Sequence, residues 1–186
     1  MLLLSNLKQL FILLCITGLV LQTVGCGFRL RGSVNVPPEL KAVHIAGIAE
    51  YAQLAQELKK VLQRSDSQVF STASAATSII TISNEGFKRR VLTVDAQGRA
   101  AEYELKYQFT FQITKRDAEI MVVSQDIELT RDYRFDPENV LATDAEEEQI
   151  RREMVQFSVR QMMRRVESQL KLTRSEPQAP TPASEP

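Results

Sequence analysis

The chain has 186 residues, which is enough for one domain of ordinary size with short extensions and too few for two large domains. Lysine and arginine total 23, as do aspartate and glutamate, so the formal net charge is zero and no overall basic field indicates a nucleic-acid partner. One histidine and two cysteines cannot supply the four ligands of a zinc site, and we expect no metal and no cofactor.

The first 25 residues are typical of a lipoprotein signal peptide. The apolar run from Leu10 to Leu21 is shorter than the roughly 20 residues that span a bilayer core. The run is followed a few residues later by Gly25-Cys26, and a small residue before cysteine indicates that Cys26 is lipidated and becomes the mature N terminus. Gly27 follows where aspartate would mark inner-membrane retention, so we expect an outer-membrane lipoprotein whose domain faces the periplasm. The alternative is a secreted protein with one unpaired cysteine.

Two extensions flank the predicted domain. Residues 26–40 are expected to form an acylated linker, with apolar residues at alternate positions that suit a sheet edge or a core cover. Residues 173–186 hold four of the seven prolines, and this composition predicts a disordered tail because few apolar groups offset the entropy of ordering. Residues 41–172 remain as one α/β domain.

The domain is predicted to begin with a strand over 42–48, where small and apolar residues alternate. An amphipathic helix of about four turns should follow, because apolar residues then recur at helical spacing. These helical positions are Tyr51, Leu54, Leu58, Val61 and Leu62.

Three strands are predicted next, separated by turns at 95–99 and 115–119. The first covers 78–94, is rich in β-branched residues and has Gly86 as a bulge or bend. The second shows six apolar residues alternating with polar ones, at Tyr103, Leu105, Tyr107, Phe109, Phe111 and Ile113. The third places Met121, Val123, Ile127, Leu129, Tyr133 and Phe135 on its apolar face.

A last helix of about 28 residues, or about 42 Å, is predicted from Thr143 onward. Thr143 and Glu146 fit a capping box, while acidic residues at the start and basic residues at the end suit the helix dipole. Its apolar stripe, expected to be core, comprises Ile150, Met154, Val155, Phe157, Val159, Met162, Val166 and Leu170. The predicted fold is α+β: a two-layer sandwich of order β-α-β-β-β-α, with both helices on one face of a four-stranded sheet.

No pattern of catalytic residues stands out. His44 is alone in a strand, without a nucleophile in a matching context, and helix capping accounts for the carboxylates over 144–148. Gly98 does not belong to a phosphate-binding glycine loop. The sequence therefore favours a binding or structural lipoprotein over an enzyme.

One cationic group has a possible role in binding. Lys88, Arg89 and Arg90 are consecutive, and Arg99 lies just across the predicted turn, with Arg131 and Arg134 on the neighbouring strand. One interpretation is a solvated sheet face that resists aggregation. The other is a site for an anionic glycolipid, because guanidinium groups suit phosphate and carboxylate.

Several short motifs occur in order along residues 26–172. They are Cys26-Gly27-Phe28-Arg29-Leu30-Arg31-Gly32, Gly98-Arg99-Ala100-Ala101-Glu102-Tyr103, Arg131-Asp132-Tyr133 before Asp136-Pro137, Val140-Leu141-Ala142, and Met162-Met163-Arg164-Arg165. Together these motifs resemble the LPS-assembly lipoprotein family, LptE, also called RlpB. At Ala96 and Thr143, where some members carry basic residues, this chain does not.

The resemblance implies a two-helix, four-strand domain that plugs the outer-membrane β-barrel LptD in a 1:1 complex and supports its assembly. It implies that the complex inserts lipopolysaccharide into the outer leaflet, with no reaction catalysed. Lys88, Arg89, Arg90 and Arg99 are then candidate contacts for lipopolysaccharide phosphates. Two alternatives stay open: a periplasmic lipid-binding lipoprotein that works without a barrel, and an accessory lipoprotein of the general barrel-assembly machinery.

Overall fold

The computed structural model describes residues 36–175. The predicted signal peptide, Cys26 and the prolines from Pro177 onward lie outside the described residues. The elements are β1 (Ala42–Ala46), α1 (Gln53–Gln63), β2 (Gln68–Phe70), β3 (Ser78–Val94), β4 (Ala100–Lys115), β5 (Ile120–Arg134) and α2 (Val140–Ser175).

The strands form one mixed sheet of order β2-β1-β3-β4-β5. β1 is parallel to both β2 and β3, whereas β3, β4 and β5 form an antiparallel meander. The described sheet thus has five strands, and the predicted four were one too few. The missed strand is β2, whose three residues are too short to show an alternating pattern and are ordered by pairing with β1.

The core lies between one face of the sheet and the two helices, as predicted. Alternate residues of β4 from Leu105 to Ile113 are buried, and they belong to one cluster with Leu58 of α1 and Met162 of α2. The long alternation in β4 is therefore confirmed. Its cause is the two-residue period of a strand, which turns one side chain in two toward the helices.

Both helices begin at residues other than those predicted. α1 starts at Gln53, and Tyr51 is 84% exposed, so it does not belong to the apolar stripe of that helix. α2 starts at Val140, so Thr143 lies inside its first turn and is not the N-cap. The Thr143 hydroxyl instead donates to the Asn139 carbonyl (3.2 Å) and accepts the Asp136 backbone N–H (3.3 Å).

α2 has 36 residues and is about 54 Å long, which is close to the length of the 16-residue strand β4. It continues to Ser175, past residue 172 where the tail was expected to start. Near its C terminus Arg174 pairs with Glu39, which precedes β1. Phe157, predicted as core, is 37% exposed on this helix, whereas the other members of the stripe are buried or half-buried.

Candidate functional site

The β3–β4 hairpin carries the four predicted basic residues, but the structure does not bring them onto one surface. Lys88 and Arg90 lie opposite Lys106 and Glu104 of β4 and share the sheet face that is turned away from the helices. Arg89 lies opposite buried Leu105, and its side chain is on the helix face. Arg99 lies in the turn. The alternation of side chains along a strand separates three consecutive cations in this way.

Lys88 and Arg90 help to line an open groove of about 660 Å³ on the outer sheet face. We call it the outer groove. Its lining residues are Lys88, Arg89, Arg90, Glu104, Lys106, Glu128 and Thr130.

Most charges in the outer groove are paired. The Arg90 guanidinium donates two hydrogen bonds to Glu104, at 2.6 and 3.0 Å, and these bonds lower the pKa of the Glu104 carboxyl. The Lys106 ammonium lies 2.7 Å from a Glu128 oxygen. Among the described ion pairs none includes Lys88, so its ammonium is the cation here that is free to take an external anion.

Arg89 belongs to a different group, the Glu147 cluster, which consists of Arg89, Tyr133, Glu147 and Arg151. Arg89 donates to Glu147 Oε2 at 2.8 Å, and Arg151 donates twice to Oε1, at 2.9 and 2.6 Å. The Tyr133 hydroxyl also donates to Glu147 Oε2. The Arg89 guanidinium further lies 4.7 Å from the centre of the Tyr103 ring. The cluster thus joins β3 and β5 to α2, and the contact between Arg89 and Tyr103 adds β4.

The ionised form of Glu147 is favoured although the residue is only 8% exposed. Burial raises the pKa of this carboxyl, but the hydrogen bonds from Tyr133, Arg151 and Arg89 outweigh burial and lower the pKa to about 2. Burial and the bond to Glu147 raise the pKa of Tyr133 to about 12. The hydrogen bond to Glu147 is the main reason that the pKa of Arg89 is also raised. Arg89 is therefore held by this structural cluster.

Arg99 is bound within its own turn. The Asp95 carboxylate accepts the backbone N–H groups of Gln97 and Arg99, each at 2.9 Å, and the Arg99 Nε at 2.8 Å. The Arg99 backbone bond is the main cause of the lowered pKa of Asp95. Gly98 closes the turn with φ of 77°, a conformation that glycine adopts without a steric penalty. The turn is exposed, and Arg99 reaches solvent from it.

Sequence reasoning missed the partners of these cations. The sequence does not indicate that Arg90 pairs with Glu104 or that Lys106 pairs with Glu128, because the register of the strands decides those contacts. One signal was available for the Glu147 cluster, since Glu147 and Arg151 are four residues apart on a helix. The carboxylates over 144–148 were instead assigned to helix capping.

His44 has a structural contact of its own. Its Nδ1 lies 3.0 Å from the carbonyl oxygen of Phe70 and joins β1 to β2. Within residues 36–175 no group of three or more histidine, cysteine, aspartate or glutamate side chains could hold a metal ion. The same residues include no helix that is both long enough and apolar enough to cross a membrane.

Solved structures of lipoproteins share this fold. The solution structure of a lipoprotein B from Nitrosomonas europaea superposes with a TM-score of 0.63 and 28% identity, covering 80% of this chain and 94% of the other. The crystal structure of the rare lipoprotein B from Shewanella oneidensis gives a TM-score of 0.56 over 71% of this chain and 95% of the other. At 24% identity, the second comparison supports the fold alone.

Sequence comparisons give the family. The LPS-assembly lipoprotein LptE of Photorhabdus laumondii is 30% identical over 147 residues, or 79% of this chain and 80% of that protein. The protein of the same name in Pectobacterium atrosepticum is 26% identical over 148 residues and 79% of each chain. The family model described as "LptE: Lipopolysaccharide-assembly" matches residues 40–166, from the end of the linker to the last third of α2. The chain therefore belongs to the LptE family of lipopolysaccharide-assembly lipoproteins.

Proposed function

We propose that this protein is an outer-membrane lipoprotein that occupies an LptD-like β-barrel, assists its assembly and takes part in inserting lipopolysaccharide into the outer leaflet. The observation that carries the proposal is the family match over residues 40–166, which covers nearly the whole described domain. The family is one of lipopolysaccharide assembly, and the proposed role needs no catalysed reaction.

The outer sheet face suits a domain enclosed by a barrel. The lumen of an outer-membrane barrel is polar, so a protein inside it needs a polar surface and a packed interior. The outer face of β4 presents Glu104, Lys106, Gln108, Thr110 and Gln112 at alternate positions, none of them fully buried. Ion pairs across to β3 and β5 fix two of these side chains.

The interior argues against the alternative of a lipid carrier that works without a barrel. Such a carrier needs a sizeable apolar cavity to take up acyl chains. The space between the sheet and the helices holds the fully buried side chains of Tyr107, Phe109 and Phe111, together with Met162 and Met163. An acyl chain would have to displace this core.

Depletion of the protein tests the barrel partnership. We expect the barrel to misassemble and to fall in abundance, and we expect a tagged full-length protein to recover the barrel in a 1:1 ratio from detergent-solubilised outer membrane. Mass spectrometry identifies the partner. Normal barrel assembly and a normal lipopolysaccharide surface after depletion would remove the proposal.

We further propose that Lys88 and Arg90 contact lipopolysaccharide phosphates, with Arg99 as a third contact at the tip. Arg89, the fourth residue of the predicted group, supports the site through Glu147. Wild-type binding should weaken with added salt, because exposed charge contacts are screened beyond about 10 Å at 0.1 M.

A lipopolysaccharide pull-down tests these contacts. Lys88→Ala/Arg90→Ala/Arg99→Ala should bind less while keeping its circular dichroism spectrum and stability, and Arg89→Ala should lose stability. The matched control is Lys41→Ala/Lys60→Ala/Arg64→Ala, which removes the same charge on the other side of the fold. Equal binding by the first variant and the wild type would assign the three cations to the barrel or to solvent.

Cys26 is the proposed lipidation site. Three acyl chains on one cysteine would attach the protein permanently, because each buried methylene contributes about 0.8 kcal/mol. Mass spectrometry of the mature N terminus should find triacylated Cys26. An unmodified N terminus at Gly27 or later, or retention of residues 1–25, would exclude the site.

A further inference from the structure

The surface where α2 crosses β5 carries a cationic group that is separate from the candidate lipopolysaccharide contacts, and two of its arginines, Arg131 and Arg164, lie in the family motifs. We call it the arginine face: Arg131, Phe157, Arg160 and Arg164. Arg131 of β5 and the α2 residues Phe157 and Arg160 line a cleft of about 270 Å³. The guanidinium carbons of Arg160 and Arg164 lie 5.7 and 5.9 Å from the centre of the Phe157 ring. A partly exposed aromatic ring thus has two cations within 6 Å of its centre.

The charges of the arginine face are unpaired, unlike most charges on the domain. Elsewhere cations meet carboxylates, as in Arg90–Glu104, Lys106–Glu128 and Lys171–Glu167. None of the ion pairs found among residues 36–175 includes Arg131, Arg160 or Arg164.

The neighbouring groups do not cancel this charge. Glu153 lines the same cleft and contributes one negative charge against three arginines, and its carboxylate also accepts a hydrogen bond from Gln149 at 2.9 Å. Arg165, next along the helix, donates to the Asp126 backbone carbonyl at 2.8 Å and adds a further positive charge. The surface therefore keeps a net positive charge on a chain whose total formal charge is zero.

Phe157 gives the surface an apolar centre. The ring is 37% exposed, whereas the other residues of the predicted apolar stripe of α2 are buried or half-buried. Aromatic and arginine side chains are enriched at protein interfaces, where an aromatic anchor within a polar rim contributes much of the binding energy. Flanking guanidinium groups also gain from the ring by cation–π attraction.

We propose that the arginine face is the surface by which this domain docks against a carboxylate-bearing protein wall, namely the inside of the barrel of the proposed function, on which this inference rests. The arrangement suits a protein surface better than a lipid phosphate. Arg160 and Arg164 are one turn apart, so their Cα atoms are separated by about 6 Å along the helix axis. The side of a helix offers no free backbone N–H group, which phosphate sites at helix termini use.

Charge reversal of the full-length lipoprotein tests the inference. Arg131→Glu/Arg160→Glu/Arg164→Glu would place three carboxylates against the carboxylates of the proposed wall, where like charges repel. We expect barrel recovery from solubilised outer membrane to fall at least about tenfold, which corresponds to 1.4 kcal/mol. The matched control Lys41→Glu/Lys60→Glu/Arg64→Glu makes the same change in net charge on and near α1 and should recover the barrel like the wild type.

A second variant is used if the charge-reversed protein does not fold. If the reversed protein loses its circular dichroism melting transition, Arg131→Gln/Arg160→Gln/Arg164→Gln removes the charge without repulsion and should still lower recovery. A photo-crosslinking residue at Gln156, within the cleft, should capture the barrel, whereas one at Gln63 on α1 should capture much less.

The outcomes separate the inference from the proposed function. If the wild type recovers the barrel and the folded variants recover it equally, the docking surface is elsewhere and the function stands. If the variants keep the barrel but lose binding to lipopolysaccharide-containing vesicles, the arginine face is a lipid site and the inference is overturned. If the wild type recovers no barrel, the proposed function fails, and the inference with it.

Discussion

At the scale of the residue, the clearest result is that three consecutive cations have different roles. Lys88 and Arg90 lie on the outer sheet face, and Arg89 is bound in the Glu147 cluster beneath α2. Arg89 therefore does more for stability than for binding. A carboxylate with three charged or hydroxyl donors at 8% exposure is costly to disturb, because removing it leaves Arg89 and Arg151 without a partner.

The Glu147 cluster predicts an acid-sensitive stability. The folded pKa of Glu147, about 2, lies below its ordinary 4.5, so ionised Glu147 favours the folded state. This contribution is complete above about pH 4.5 and is lost as the pH falls toward 2. Glu147→Gln should lower the free energy of unfolding by about 1 to 3 kcal/mol at pH 7, because Arg89 and Arg151 lose their charged acceptor, and the difference from the wild type should shrink below pH 4.5.

Urea unfolding at pH 7, 4 and 2.5 measures this difference. Glu153→Gln is the matched control, since Glu153 lies on the same helix, is exposed and has no resolved ion pair among residues 36–175. Parallel pH dependence of the wild type and Glu147→Gln would show that the cluster does not contribute.

Gly47 is the second residue on which we make a prediction. Its φ is 81°, and a Cβ there would lie 2.1 Å from the backbone oxygen of Ile82. Gly47→Ala should therefore lower the free energy of unfolding by about 3 kcal/mol, because β1 and β3 would have to separate. Gly86→Ala is the control, since a Cβ at Gly86 meets nothing within 4 Å. Equal unfolding midpoints for the two variants would contradict the close approach.

At the scale of the element, bulges decide which residues face the core. The register of β3 against β4 shifts between Ser83 and Gly86, so the irregularity predicted at Gly86 is confirmed, although the positive φ of 54° falls on Asn84. A second shift lies between β4 and β5 next to Phe111. Val122 is consequently buried and Val123 is 57% exposed, so the predicted apolar face of β5 was wrong at Val123.

α2 gives a prediction that contrasts two of its apolar residues. Met162 is fully buried, so Met162→Ala should cost about 2 to 5 kcal/mol through lost contacts and a cavity. Phe157→Ala should cost less than about 1 kcal/mol, since the ring is partly in solvent. Thermal unfolding of the two variants measures the contrast. A large loss for Phe157→Ala would place that ring in the core and weaken its assignment as an interface anchor.

At the scale of the whole molecule, the described domain has the core expected of an independently folding unit. The sheet and both helices share one cluster of buried residues, and Arg174–Glu39 joins the two ends of the described chain. A lipid tether at the N terminus would then hold the protein at the membrane and would not contribute to the stability of the domain.

Replacing the anchor residue tests that separation. Cys26→Ala should leave the melting temperature of the domain unchanged, because the sheet and α2 contain their own core. The same change should release the protein from the membrane or block its maturation. Fractionation and thermal unfolding of one preparation measure both effects. A large fall in melting temperature would mean that the segment around Cys26 is part of the folded core.

The sequence by itself determined the features that local periods and linear motifs encode. Alternation over Tyr103–Ile113 predicted β4 and its buried face, because successive side chains of a strand point to opposite sides. Helical spacing likewise predicted both helices and most of their buried residues. The cysteine after the signal-like segment and the ordered short motifs predicted the family, which the comparisons confirm.

Only the tertiary structure decided which charges meet. Arg89 and Glu147 are 58 positions apart, and Arg90 and Glu104 are 14 apart, so their pairing depends on strand register and on the path of α2. β2 forms because β1 supplies backbone hydrogen-bond partners for it. Its three residues are too few to show an alternating pattern of apolar and polar side chains in the sequence. The exposure of Phe157 near two guanidinium groups follows from how α2 lies on β5, since helical spacing alone assigns that ring to the core.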